Sequence, residues 1–471
     1  MTHQFHSTVL REYDIRGIIG ETLGADDARA IGRSFATMLR AAGGKKVAVG
    51  YDGRVSSPML EHALVEGLTA SGCDVVKIGM SATPMLYYAE ASSEQIDGGI
   101  QITGSHNPAN YNGFKMVFQG RPFFGKDILA LGELSTAGRW DDGTGEVSED
   151  AILGEYVERL LEGLAGIAGD VLADLKVGWD AGNGAAGPAL EAMAARLPGE
   201  HHLLFTEVDG HFPNHHPDPT VEANLSDLRA LVEAKNLDFG VAFDGDGDRI
   251  GAIDGQGRVI WGDQLLMIYA EDVLKTHKNA TVIADVKASR ALFDHVAAHG
   301  GQPLMWKTGH SLIKSKMKET GSPLAGEMSG HVFFADTYYG FDDALYAGIR
   351  LIAASARLGK SVTQLRSDMP EMLNTPEMRF QVDEARKFPA IDEVTDRLTN
   401  NPGPEVESVN ATDGVRVNTK DGWWLLRASN TQDVLVARAE SDSEDGLARL
   451  LAQIDEQLAL SGLERGDSVG H

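Results

Sequence analysis

Runs of consecutive apolar, often β-branched residues recur along the chain, and each ends in a small polar or glycine-rich loop. The first set reads KVAVGYDGR (residues 46–54), KVGWDAGNG (176–184) and TVIADVKAS (281–289). A second set follows as DVVKIGMSATP from Asp74, HLLFTEVDGHFP from His202 and PLMWKTGHSLI from Pro303. A third set is GGIQITGSHNP from Gly98, FGVAFDGDGDR from Phe239 and SPLAGEMSGHV from Ser322. Short continuous apolar runs bounded by turn residues predict buried strands. Segments such as ADDARAIGRSF, RSFATMLRAAG and LSDLRALVEAKN carry the i, i+3, i+4 apolar spacing of amphipathic helices. Strands alternating with helices predict parallel sheets covered on both faces. The same order three times predicts three related α/β units. Each unit delivers a loop from the C-terminal edge of a strand, where open α/β sheets bind ligands.

The last hundred residues break this pattern. After NPGPEVESVN comes TDGVRVNTKDGWWLLRASNTQDVLVARAE, which alternates and carries an Asp421–Gly422 turn signal, so antiparallel strands are expected. The stretch DGLARLLAQIDEQLAL then reads as a helix, giving an α+β fourth unit. The expected division is 1–150, 151–254, 255–368 and 369–471. A length of 471 residues fits three or four domains.

Composition narrows the partners. The net charge of −27 argues against nucleic acid and against an anionic membrane, since both call for clustered positive charge. An anionic substrate would need a local group of arginines and lysines to overcome that field. Cys73 is the single cysteine, which excludes an intrachain disulfide and fits a reducing compartment. The N-terminal MTHQFHSTVLREYD has charges where a signal peptide needs an apolar core, and no apolar run reaches membrane-span length. A cytoplasmic location is expected.

Four loops carry candidate chemistry. In FDGDGDRI, Asp244, Asp246 and Asp248 alternate with glycines at the end of a buried run. Three carboxylates so close repel one another unless a cation holds them, and oxygen-only ligands favour magnesium or calcium. The residues that follow do not continue an EF-hand, and a magnesium site at a strand edge points to phosphate chemistry. Arg249 adjoins it as a candidate for balancing phosphoryl charge. In TGSHNP, Ser105 lacks the G-x-S-x-G setting of a hydrolase elbow. A helix cap is one use for it. Its place in the repeat, equivalent to the aspartate loop, makes it a candidate phosphoryl acceptor and donor. In GEMSGH, Glu327, Ser329 and His331 suit vicinal sugar hydroxyls or, equally, a polar turn. In RASNTQD, Arg427, Ser429, Asn430 and Thr431 suit a phosphate cradle or an ordinary loop. Smaller candidates are Tyr13 and Arg16 in REYDIRG, Lys115 in NGFK, Lys287 in DVKAS, and Lys307 and His310 in KTGH. His211, His215 and His216 sit between prolines; a rigid loop is favoured there over a zinc site, which lacks a clear fourth ligand.

Taken in order, TGSHNP, DGDGDR, GEMSGH and RASNTQD resemble the α-D-phosphohexomutases, most closely the bacterial phosphomannomutase/phosphoglucomutase branch. The resemblance runs from YDIRG to the C-terminal unit. It implies an α/β fold class: three related mixed-sheet α/β domains and a C-terminal α+β, TATA-binding-protein-like domain around a central cleft. It implies that Ser105 carries the phosphoryl group, and that Mg2+ is held by Asp244, Asp246, Asp248 and a phosphoserine oxygen. Glu327 and Ser329 match the readers of the sugar 3- and 4-hydroxyls. Arg427, Ser429, Asn430 and Thr431 match the binders of the phosphate that is not transferred. Tyr13, Arg16, His106, Lys115, Arg249, Lys287, His310 and His331 match further cleft residues, with Lys115 and His331 as unranked candidates for acid or base.

The implied activity interconverts hexose 1- and 6-phosphates of mannose, glucose or both, with a hexose 1,6-bisphosphate as activator and a monomer as the working unit. Met328 and the Asn430-Thr431-Gln432 sequence disfavour a phosphoglucosamine mutase, which usually has Gln at the first position and Gly-Thr-Glu after the serine. A serine- and magnesium-dependent sugar phosphatase, separable by phosphate release, and a non-catalytic sugar-phosphate binder remain as alternatives.

Overall fold

The computed structural model describes residues 2–430 and 432–466. Three of its four sheets repeat one arrangement. In the first, the strand Lys46–Tyr51 lies between Asp74–Met80 and Gly98–Ile102, all parallel, and Tyr111–Phe118 adds on antiparallel to the last. In the second, Lys176–Asp180 lies between Glu200–Leu204 and Phe239–Phe243, and Ile250–Asp254 is the antiparallel addition. In the third, Thr281–Asp285 lies between Gln302–Trp306 and Leu324–Gly326, with Val332–Phe334 antiparallel. The sheets are therefore mixed, as the family resemblance implies, and contain the parallel strands that the alternation of strands and helices predicts. Every third-set run turns back on itself, and that tight turn is where the serine, aspartate and glutamate loops sit.

The fourth sheet is antiparallel, built on Val415–Thr419, Gly422–Ala428 and Val434–Ser441. Alternation along Gly422–Ala428 gives it two apolar faces. Trp424 and Leu426 pack with Leu450 and Ile454 of the helix Glu444–Leu460, while Trp423 and Leu425 pack on Val286 of the third unit. Burial on both faces explains why all eight residues of Val434–Ser441 are buried.

The first unit has its own core around Phe35, Val47, Val49 and Ile100. The second and third share one continuous core that includes Trp179, Phe243, Leu266 and Ile352. That shared core fixes the aspartate loop against the glutamate loop. Among the described residues, no helix is long and apolar enough to cross a membrane.

Candidate active site

The serine loop follows the buried strand Gly98–Ile102. Ser105 is 1% exposed and has φ +49°, a left-handed conformation that a non-glycine residue adopts at a cost, so the surrounding structure must impose it. Arg54 does so. Its guanidinium is buried, paired with Asp52 at 3.1 Å, and donates to the carbonyls of Ser105, Asn107, Pro108 and Tyr111. A planar donor set of this reach is available from arginine and not from lysine. Arg16 adds a hydrogen bond to the Asn107 side chain. Ser105 is thus no helix cap: its Oγ donates to Asp244 Oδ2 at 2.8 Å and lies 3.2 Å from His106 Nδ1.

The aspartate loop connects Phe239–Phe243 to Ile250–Asp254, and Asp244, Asp246 and Asp248 have no exposed surface. Asp244 Oδ1 accepts the backbone N–H groups of Asp248 and Arg249, each at 3.1 Å. Gly245 is required by contact: a Cβ there would lie 2.5 Å from the Ser105 carbonyl oxygen. Lys115 Nζ lies 2.7 Å from Asp246 Oδ2 and also contacts Asp248. Thr83 Oγ1 donates to Asp246 Oδ2 at 2.5 Å.

The carboxylates titrate against one another. Burial, then Asp246 and Asp248, push Asp244 well above the usual range. Burial works against ionised Asp246 too, but Lys115 and the hydroxyl of Thr83 outweigh it and hold it low. Lys115 is opposed by burial yet held above the usual lysine value by the three carboxylates. One oxygen from each aspartate lies within 4.8 Å of the others, and Asp246 Oδ1 and Asp248 Oδ1 are buried with no hydrogen-bond partner. Buried carboxylate oxygens without donors are costly, and an all-oxygen set of this kind fits a hard dication such as Mg2+.

The glutamate loop abuts this cluster directly. Gly330 accepts the N–H of Ile250 at 3.0 Å, and a Cβ on Gly330, whose φ is +91°, would lie 2.4 Å from the Ile250 carbonyl. Glu327 Oε1 accepts the Gly309 N–H at 2.6 Å, and Ser329 is half-buried in the same turn. Arg249 Nε donates to His331 Nε2 at 3.0 Å. Guanidinium has no acceptor, so His331 Nε2 presents its lone pair and the ring proton sits on Nδ1, 2.9 Å from Asp342 Oδ2. Lys314 pairs with the other Asp342 oxygen at 2.9 Å. His310 stacks on His331 with ring centroids 5.5 Å apart, and burial, then Lys314, pushes it well below the usual histidine value.

The fourth-unit loop closes the circuit. Arg427 pairs with Asp413 at 3.0 Å, and Ser429 Oγ accepts the Gln432 N–H at 3.2 Å. Asn430 donates to the Tyr13 hydroxyl at 2.6 Å, and that hydroxyl donates to the Thr308 carbonyl at 3.0 Å, so Tyr13 joins the first, third and fourth units. Burial pushes the Tyr13 hydroxyl up to about 12. Lys287 pairs with Glu377 at 3.0 Å. Thr431 lies outside the described residues. Lys307 is exposed and joins none of these contacts, unlike His310 in the same motif. In the proline-flanked loop, His215 places one nitrogen 2.9 Å from Asp180 and the other 3.0 Å from the His216 carbonyl.

Sequence reasoning passed over Arg54, Thr83, Asp342 and Glu377. Arg54 closes YDGR and Thr83 lies within SATP, both strand-end loops equivalent by repeat to DVKAS and KTGH, which carry candidate chemistry. Asp342 and Glu377 lie in no such loop and carried no signal.

Four domain models of phosphoglucomutase/phosphomannomutase match the chain: alpha/beta/alpha domain I over residues 7–135, domain II over 154–257, domain III over 261–373 and the C-terminal domain over 377–457. A phosphomannomutase/phosphoglucomutase of Pseudomonas aeruginosa is 43% identical over 452 residues, covering 96% of each chain. A phosphoglucomutase of Neisseria meningitidis is 41% identical over 94% of this chain and 95% of its own. A solved phosphoglucomutase/phosphomannomutase family protein from Burkholderia thailandensis superposes with a TM-score of 0.91 at 42% identity, covering 99% of this chain and 100% of that one.

Proposed function

The chain belongs to the phosphoglucomutase/phosphomannomutase family and is a phosphotransferase mutase interconverting hexose 1- and 6-phosphates, and from that premise we propose that Ser105 carries the phosphoryl group between turnovers. The observation that carries this reading is the Ser105 Oγ, 2.8 Å from Asp244 in a buried, all-oxygen cation site. Asp244, Asp246 and Asp248, with an oxygen on Ser105, would hold Mg2+, which offsets charge on a transferring phosphoryl group.

His331 ranks above Lys115 as the base. Lys115 is kept cationic by three carboxylates, so it serves as a fixed positive charge. Among the described residues, the His331 Nε2 lone pair accepts from Arg249. When the Arg249 guanidinium swings onto a phosphoryl group, Nε2 is released to take the proton of the attacking sugar hydroxyl. Asp342 then stabilises the imidazolium from the Nδ1 side, the role a carboxylate plays beside any catalytic histidine. The bond from phosphorus to Ser105 Oγ breaks as the bond to the sugar oxygen forms. His106, 3.2 Å from that Oγ, is placed to return a proton to it.

Glu327 and Ser329 read the sugar hydroxyls, with Tyr13, Arg16, Lys287 and His310 lining the same cleft. Arg427, Ser429, Asn430 and Thr431 hold the phosphate that stays. The bisphosphorylated sugar then reverses end for end and returns its second phosphoryl group to Ser105, which makes a hexose 1,6-bisphosphate the activator. A mutase of Aspergillus fumigatus with 12% identity and a TM-score of 0.58 has been solved in complex with glucose 1,6-bisphosphate. The division at 1–150, 151–254, 255–368 and 369–471, a monomeric state and a cytoplasmic location belong to the same reading. Because the readers contact hydroxyls away from C2, mannose and glucose phosphates are both accepted. Coupled assays of mannose 1-phosphate and glucose 1-phosphate, run side by side with bisphosphate present, should give turnover with both; turnover with neither contradicts the assignment.

A further inference from the structure

The helix Arg290–Ala298 starts at the third–fourth unit boundary, where Ser289 donates to Glu440 at 2.9 Å. Its other end lies ~13 Å away along the axis. There His295 and His299, one helical turn apart, present their rings on the same face with centroids 4.1 Å apart. Glu271, on the neighbouring helix Gly262–Thr276, faces both. Its Oε2 lies 3.8 Å from His295 Nε2 and 3.9 Å from His299 Nε2, too far for a hydrogen bond.

Two features point these groups at a ligand rather than at one another. His295 Nε2 is buried with no hydrogen-bond partner. His299 Nδ1 lies 2.9 Å from the His295 carbonyl, which only accepts, so the proton is on Nδ1 and Nε2 is left with its lone pair. A backbone carbonyl fixing the second ring nitrogen is the usual support for a metal-ligating histidine. Donors bound to one Zn2+ at about 2.0–2.1 Å lie no more than ~4 Å apart, and both carboxylate–imidazole distances already fall inside that limit.

We propose that Glu271, His295 and His299 form a second metal site, distinct from the aspartate cluster, which takes a transition-metal dication of the Zn2+ type through two imidazole nitrogens and a carboxylate oxygen. His299 is 36% exposed, so water completes the coordination. The two sites sort by ligand chemistry. Imidazole selects zinc, nickel and copper, whereas the oxygen-only aspartate cluster selects magnesium. Standing a helix length from the cleft, the second ion ties the two helices together and takes no part in the phosphoryl transfer.

Zn2+ titration by calorimetry into the tag-free full chain, with excess Mg2+ occupying the aspartate cluster, tests this. The wild type should bind one equivalent more tightly, by at least about tenfold, than His299→Gln or Glu271→Gln. Zn2+ should raise the melting temperature of the wild type and not of the variants. Co2+ should give visible absorption bands in the wild type that both variants lose. The variants should melt like the wild type without metal and keep full mutase turnover in Mg2+. Identical zinc stoichiometry, affinity and melting shift in the wild type and His299→Gln would overturn the site.

Discussion

His331 shows how much chemistry one hydrogen bond decides. Arg249 donates to Nε2, which puts the ring proton on Nδ1, 2.9 Å from Asp342 Oδ2, and in the proposed mechanism the imidazole becomes the base once the guanidinium leaves. Asp342→Asn keeps the shape and removes the charge, so kcat should fall by about 10²–10⁴ with a smaller change in KM. A stopped-flow or coupled assay reads both; an unchanged kcat would remove Asp342 from the proton path. At this scale the sequence was informative where chemistry is dense. Ser105 and the three aspartates stand out because adjacent carboxylates on a strand end have few structural uses. Asp342 was silent because its partners, His331, Lys314 and His310, come from other segments. Arg54 was silent because arginine after a turn is ordinary until the carbonyls it gathers are known.

At the scale of elements, what positions the site is a set of tight reversals between a parallel strand and its antiparallel neighbour. Gly98–Ile102 turns into Tyr111–Phe118 and Phe239–Phe243 into Ile250–Asp254, so the serine and the aspartates are carried on equivalent corners that meet face to face. Gly245 permits that meeting. Gly245→Ala would drive its Cβ into the Ser105 carbonyl, so a loss of about 1–3 kcal/mol and a drop in turnover are expected. Thermal denaturation and the mutase assay check it, and a variant with wild-type melting and activity would mean the two loops do not need this contact. The strand order was legible from the repeated apolar runs. The antiparallel returns were not legible in those runs, and the mixed sheets were expected only from the family resemblance; one return, Val332–Phe334, is three residues long, too short for periodicity to register. The helix Glu384–Asn400 is obscured for a different reason, Pro389 within it.

Across the whole molecule, a chain of −27 net charge must bind a doubly anionic substrate. In the proposed reading it does so with cations held by carboxylates, some from the same unit, as Arg427 by Asp413, and some from a neighbouring one, as Lys115 by Asp246. Lys287 of the third unit against Glu377 of the fourth is one such clamp. Burial works to raise the Glu377 carboxyl, but Lys287 and Arg379 outweigh it and hold the group below its ordinary 4.5. A depressed carboxyl stabilises the folded state above that ordinary value and loses the contribution as pH falls through the folded one. Glu377→Gln should therefore melt about 2–4 °C below the wild type at neutral pH, and the gap should close as the pH drops below 4.5. A gap that persists in acid would assign the loss to packing instead. This closure of distant segments lies beyond what sequence patterning reports: Lys287 stands out in DVKAS, but its partner Glu377 belongs to no motif.

The covalent role of Ser105 carries the rest of the account, and intact-protein mass spectrometry tests it most directly. After incubation with glucose 1,6-bisphosphate and Mg2+, the wild type should gain the mass of one phosphoryl group, mapped to Ser105 and removed by added hexose phosphate. Ser105→Ala, folded and metal-binding, should gain none. A wild type that turns over substrate while never carrying the added mass, or a Ser105→Ala protein that gains it, would contradict the account.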